Sequence, residues 1–152
     1  MLHLKRSLCV ILFSLLLSLL PLPLDGEDLS GYMSKQIADY PSLAAPGKKV
    51  AIGNGSYLIY GFDKKPKLGT VIMKVEIFNP DGGKDNTFEV KGDAGMPSMR
   101  GAHETGDRPF ALSKKGDYLL PVNIVMPGDW EIRLTIIKGG KIIFRGRYNF
   151  DI

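Results

Sequence analysis

The sequence predicts an all-β chain: an immunoglobulin-like antiparallel β-sandwich of about seven strands behind an N-terminal signal peptide. Three observations lead there. Apolar and polar residues alternate at period two through residues 70–78, 118–126 and 130–137, as in strands with one buried face. The chain carries 18 glycines and 10 prolines in 152 residues, many of them set between short apolar runs where turns belong. From Tyr57 onward no helical period interrupts the pattern.

The elements follow in order. Lys5 and Arg6 precede an apolar run from Leu8 to Leu20, broken by Pro21-Leu22-Pro23-Leu24-Asp25-Gly26. That is the layout of a secretory signal peptide, with cleavage expected after Gly26. The run is short for a spanning helix and carries two prolines, which argues against a retained anchor. Cys9 lies inside the run without a lipobox. Residues 27–55 are expected to be an N-terminal arm, partly disordered or forming a short helix over 30–40 that ends at Pro41. Residues 56–152 are expected to be the sandwich domain.

Within that domain Tyr57-Leu58-Ile59-Tyr60-Gly61-Phe62 reads as the first strand and residues 70–78 as the second. Asn79-Pro80-Asp81-Gly82-Gly83 is a turn, and Phe88-Glu89-Val90-Lys91 a short third strand. Residues 92–109 read as a long loop with a short edge strand. Residues 118–126 form the next strand, with Pro121 placing it at an edge or bulge. Trp130, Ile132, Leu134 and Ile136 are expected inside, with Glu131, Arg133 and Thr135 outside. Gly139-Gly140 is a two-residue hairpin turn, after which Ile142, Phe144, Tyr148 and Phe150 are expected to face the core.

Composition narrows the function. One cysteine allows no intrachain disulfide and no multi-cysteine metal site. With only His3 and His103, and no motif placing a pair of titratable groups, the chain is not expected to be an enzyme. Loss of residues 1–26 leaves 18 basic and 15 acidic residues, net +3. That is too mild for nucleic-acid binding, and no small-molecule substrate is implied. Gly53-Asn54-Gly55-Ser56 lacks the lysine and following helix of a phosphate loop and reads as a turn. Lys64, Lys65 and Lys67 read as a solvated basic turn. Ser98 and His103 suggest a nucleophile and base without a placed acid.

Three stretches carry a family resemblance. Pro66-Lys67-Leu68-Gly69 enters a long strand ending in Asn79-Pro80-Asp81-Gly82. Met96-Pro97-Ser98-Met99 is followed by His103. Gly116-Asp117-Tyr118 leads to Met126-Pro127-Gly128-Asp129-Trp130-Glu131. In this order they resemble the YtkA-like family, related to FixH-type domains, over roughly the last two thirds of the chain. The resemblance implies a small exported or membrane-facing immunoglobulin-like sandwich, periplasmic or extracellular. It further implies a role in copper handling or copper-oxidase assembly. The chain differs from relatives in having one histidine near the methionine pair.

Met96, Met99 and His103 form the candidate metal site. Two thioethers and an imidazole are soft donors that suit Cu(I), and Pro97 restrains the loop between them. Met126 is a candidate fourth donor. Methionine is equally a filler of core gaps, so two functions stand at this point. One is a Cu(I) carrier or oxidase-assembly accessory. The other is a metal-free interaction module or accessory subunit that holds a protein partner in the cell envelope.

Overall fold

Two antiparallel sheets face each other in the computed structural model, which describes residues 39–152. The signal peptide expected at 1–26 lies outside the described residues. So does the arm up to residue 38. The first sheet contains β1 (Val50–Gly53), β2 (Ser56–Phe62), β3 (Gly69–Phe78), β6 (Ala111–Leu112) and β7 (Tyr118–Ile124), in the order β1-β2-β3-β7-β6. The second contains β4 (Glu89–Gly95), β5 (Arg108–Pro109), β8 (Asp129–Lys138) and β9 (Lys141–Asp151), in the order β5-β4-β8-β9. Since β5 and β6 are two-residue pieces, seven full strands form the β-sandwich.

Period-two alternation builds the core. From the first sheet Leu58, Tyr60, Val71, Met73, Val75, Ile77, Leu120 and Val122 point inward. From the second Val90, Ala94, Trp130, Ile132, Leu134 and Ile136 meet them, and all are buried. Each fully buried large apolar side chain stabilises the fold by about 1.5–3 kcal/mol. Trp130 retains 2% exposure, and its indole N–H donates to the Met126 carbonyl at 3.1 Å. Two core tyrosines direct their hydroxyls to main-chain oxygens: Tyr118 to Phe88 at 2.9 Å and Tyr60 to Ala44. Burial, and secondarily the neighbouring Tyr148, pushes the Tyr60 hydroxyl well above the ordinary phenol range.

The structure departs from the sequence reading in several places. The sandwich begins before residue 56, because Val50–Gly53 pairs with β2 through a turn at Asn54 and Gly55. Both turn residues have positive φ, 52° and 75°, the geometry that Asn-Gly supplies in a two-residue hairpin. Further upstream, the N–H of Leu43 donates to the Arg147 carbonyl and that of Gly47 to the Tyr60 carbonyl, each at 2.8 Å. Residues 43–47 therefore strap the two sheets together at the β9 side.

β4 runs on to Gly95, four residues past the expected end. The extension escapes a hydrophobicity reading because its inward position at Gly92 has no side chain. A Cβ there would lie 2.7 Å from Phe110 Cε2 and 2.8 Å from Leu120 Cδ2, so these side chains fill the space instead. Ile142 faces solvent rather than the core, at 51% exposure. A register shift between Ile136 and Ile137 makes Ile143 an extra residue in β9 and turns Ile142 outward. Pro121 lies where β7 has outrun β6, which pairs only with Tyr118 and Leu119, so its missing N–H falls on an open side.

Candidate metal-binding loop

Met96 follows Gly95 directly and keeps extended backbone, φ −107° and ψ 115°. Alternation along β4 therefore sends its side chain inward, on the face of Ala94 and away from that of Gly95. Met96 is 4% exposed and belongs to the core. Its methyl reaches the β7–β8 turn, where a Cβ on Gly128 would lie 2.7 Å from Met96 Cε. Met126, two residues before Gly128, is partly buried against the same core.

Pro97–Met99 forms a single 3-10 turn, closed by the N–H of Met99 donating to the Met96 carbonyl at 2.9 Å. Proline fits the first position, where no N–H is needed. The turn is tied to β8 by Asp129, which accepts from the Ser98 N–H at 2.9 Å and from the Ser98 hydroxyl. The hydroxyl bond, more than the backbone bond, holds the Asp129 carboxyl below its ordinary value. Ser98 is thus engaged by an aspartate. Met99 ends the turn exposed, at 40%.

The chain then folds back over the outer face of the second sheet. A Cβ on Gly95 would meet Glu104 Cγ at 2.9 Å and the His103 carbonyl at 3.4 Å. The His103 backbone therefore lies against the face of Gly95 opposite to that taken by Met96, and the residue is half-buried. So Met96 and Met99 bracket one turn, Met96 reaches the turn bearing Met126, and the His103 backbone sits across the strand. Among the described residues no group of three or more His, Cys, Asp or Glu is placed to hold a metal ion. Of the sequence-predicted donors, Met96 is a core side chain, Met99 is exposed and His103 has its backbone on the opposite face of Gly95.

A network of charges that the sequence reading did not anticipate holds the loop down. Arg133 Nη2 donates to Asp93 Oδ2 at 2.6 Å and to Glu104 Oε1 at 2.9 Å. Arg100 Nη2 donates to Glu131 Oε1 at 3.1 Å, and Arg147 Nη1 lies 3.8 Å from Glu131 Oε2. Thr105 closes the loop, its N–H donating to the Ala94 carbonyl and its hydroxyl accepting from the Ala94 N–H, both at 2.9 Å. Glu131 and Thr135, expected outside, are each only 4% exposed. The alternation of Glu131, Arg133 and Thr135 set their face correctly. The returning loop, Arg147 and Tyr40, whose hydroxyl lies 3.2 Å from Thr135 Oγ1, help cover them. Buried charges require such pairing, since an isolated one is strongly unfavourable.

The fold defines a class: an antiparallel two-sheet β-sandwich. Solved structures with a similar outline include FetP of uropathogenic E. coli strain F11, at TM-score 0.47 and 14% identity over 70% of this chain and 93% of that one. The soluble domain of PmoD from Methylocystis sp. ATCC 49242 is similar at TM-score 0.48 and 14% identity, over 68% and 95% of the two chains. A copper-bound variant of FetP gives TM-score 0.47 and 14% identity over 74% and 95%. At this distance a shared outline says nothing about ligand or partner. No family model and no curated protein matches the chain.

Proposed function

We propose that the chain is a non-enzymatic, exported binding module that holds Cu(I) at the loop end of its sandwich, as a carrier or an accessory to copper-oxidase assembly. The observation that carries this reading is the contact of the Met96 methyl with the turn at Gly128. The support is that Met96 Cε lies near the turn that follows Met126 and that Met99, on the same 3-10 turn, is exposed. Neutral sulfur donors suit Cu(I) and tolerate an apolar surrounding that would penalise charged ligands. The basic leader pattern supports export.

The test is a Cu(I) competition titration against a chromophoric chelator. It uses the wild type and a Met96→Leu/Met99→Leu pair, which removes sulfur while keeping volume. One equivalent bound by the wild type and lost in the pair supports the reading. No binding by the wild type overturns it. A Met126→Leu variant and a His103→Ala variant then report which further donor contributes.

A second reading, a metal-free interaction module, is favoured by a different observation. Leu68 and Val125 extend from the paired residues Gly69 and Ile124, and are 53% and 56% exposed. They provide apolar surface at one end of the first sheet.

A further inference from the structure

The turn between β2 and β3 carries Lys64, Lys65 and Lys67, all exposed. Among the described residues none of the three forms an ion pair. The turn is held in shape by Asp63. Its N–H donates to the Ile72 carbonyl at 3.0 Å, and its Oδ1 accepts from the Ile72 N–H at 2.8 Å. Pro66, between the lysines, has its φ fixed by its ring. Asp151 borders the hollow that Lys65, Pro66 and Lys67 line, but pairs with neither ammonium.

A run of exposed lysines is by itself a solvated turn. This one frames an apolar tip. Leu68 follows Lys67 directly, and the register that pairs Gly69 with Ile124 sets Val125 beside it. Both side chains are more than half exposed. The opposite end of the same sheet gives the comparison. There Lys114 and Lys115 are exposed next to a single exposed apolar residue, Leu112. Paired apolar tips and uncompensated positive charge meet only at the 64–68 end.

That combination fits a bilayer. Apolar side chains projecting from a turn can enter acyl chains, while lysine stems lie along apolar surface and their ammonium groups reach phosphate. Affinity for such a surface rises with buried apolar area and with attraction to anionic lipid. A protein would need a pocket shaped for two projecting tips, whereas acyl chains take them without one.

We propose that residues 64–68, together with Val125, dock the sandwich on an anionic phospholipid bilayer. Leu68 and Val125 enter the surface, and Lys64, Lys65 and Lys67 meet lipid phosphates. The tips are those of the interaction-module reading, with lipid in place of a protein partner. None of the methionines takes part, so copper titration and bilayer binding succeed or fail separately.

Cosedimentation with vesicles tests it. The chain recovered after export is mixed with phosphatidylcholine vesicles made with or without phosphatidylglycerol. The wild type should bind the phosphatidylglycerol vesicles, less tightly as salt rises, and bind phosphatidylcholine alone about tenfold more weakly or worse. Lys65→Gln/Lys67→Gln should weaken binding about tenfold or more, since each lysine near an anionic surface contributes about fivefold. Lys114→Gln/Lys115→Gln removes the same charge from the other end and should change binding by less than about threefold. Leu68→Ser/Val125→Ser should weaken it about tenfold, with the melting temperature retained. All variants share one N-terminus, so their differences report on the sandwich. Equal losses in the two lysine pairs overturn the proposal, because net charge alone then drives binding. Full binding by Leu68→Ser/Val125→Ser overturns it too, because nothing enters the bilayer. No binding by the wild type also overturns it. If poly-glutamate then shifts the amide resonances of residues 64–68, this end belongs to an acidic protein instead.

Discussion

Ser98 occupies both carboxylate oxygens of Asp129: its N–H donates to Oδ2 at 2.9 Å and its hydroxyl to Oδ1. One side chain of β8 thereby sets the position of the turn between Met96 and Met99. The Ser98 hydroxyl, with the backbone bond adding to it, lowers the Asp129 carboxyl below its ordinary value. A depressed carboxylate stabilises the fold above its unfolded value and ceases to do so as pH falls through the folded one. The methyl resonance of Met99 should therefore shift at a pH below the usual aspartate range. In Asp129→Ala that titration should vanish and the Ser98 amide should exchange faster. A Met99 methyl indifferent to acid would show that the clamp does not hold the turn.

Trp130→Ala should be among the costliest substitutions. The side chain is 2% exposed and belongs to the core, so its loss should lower unfolding free energy by about 3–5 kcal/mol. Urea unfolding measures this. A change under about 1 kcal/mol would mean that the site collapses to fill the space.

Gly92→Ala and Gly61→Ala form a matched pair. A Cβ at position 92 would overlap Phe110 and Leu120, whereas one at position 61 meets nothing within 4 Å. Gly92→Ala should destabilise by about 1–3 kcal/mol, the usual range for overpacking. Gly61→Ala should be within about 0.5 kcal/mol of the wild type, like other open-surface changes. Phe110→Leu in the Gly92→Ala background should recover part of the loss. Equal melting temperatures for the two alanine variants would count against the packing described for β4.

Lys84 links two elements of the first sheet, with Nζ 2.8 Å from Glu76 and 2.6 Å from Asp117. Hydrogen bonds from Lys74 and then Lys84 lower the Glu76 carboxyl, despite some burial. The Asp117 and Glu76 carboxylates raise the Lys84 ammonium. Glu76 therefore contributes stability above its unfolded value and loses it as pH falls through the lowered one. Lys84 contributes below its unfolded value and loses it as pH rises through the raised one. Urea midpoints should fall on the acid flank below the ordinary glutamate range and again on the alkaline flank. Lys84→Met should remove the alkaline fall and only reduce the acid one, because Lys74 still pairs with Glu76; a wild-type profile kept by the variant would remove this node from the account.

The strands that the sequence revealed were those with apolar residues on every inward position. Trp130, Ile132, Leu134 and Ile136 alternate without a gap, and β8 follows them. The end of β4 was hidden because Gly92 and Gly95 carry no side chain to pattern. β1 was hidden because four residues, only Ile52 of them buried, give alternation too little length. The misplaced Ile142 comes from one extra residue in β9, and a bulge leaves no mark in hydrophobicity. At the loop end, the sequence grouped Met96, Met99 and His103 by nearness along the chain. It could not show that Gly95 lies between the Met96 side chain and the His103 backbone. The ion network has a faint signal, three charged or polar residues alternating on β8, but the arginines and acids that answer them come from residues 93, 100, 104 and 147.

The strap at residues 43–47 bears on how the chain is made. Leu43 pairs with Arg147, more than a hundred positions later. Its partner lies on β9, which follows every other strand of the sandwich in chain order, whereas the strap precedes them all. Closing so long a loop is entropically costly and comes late in folding. The β9 side of the sandwich therefore stays unsealed until β9 itself has been made.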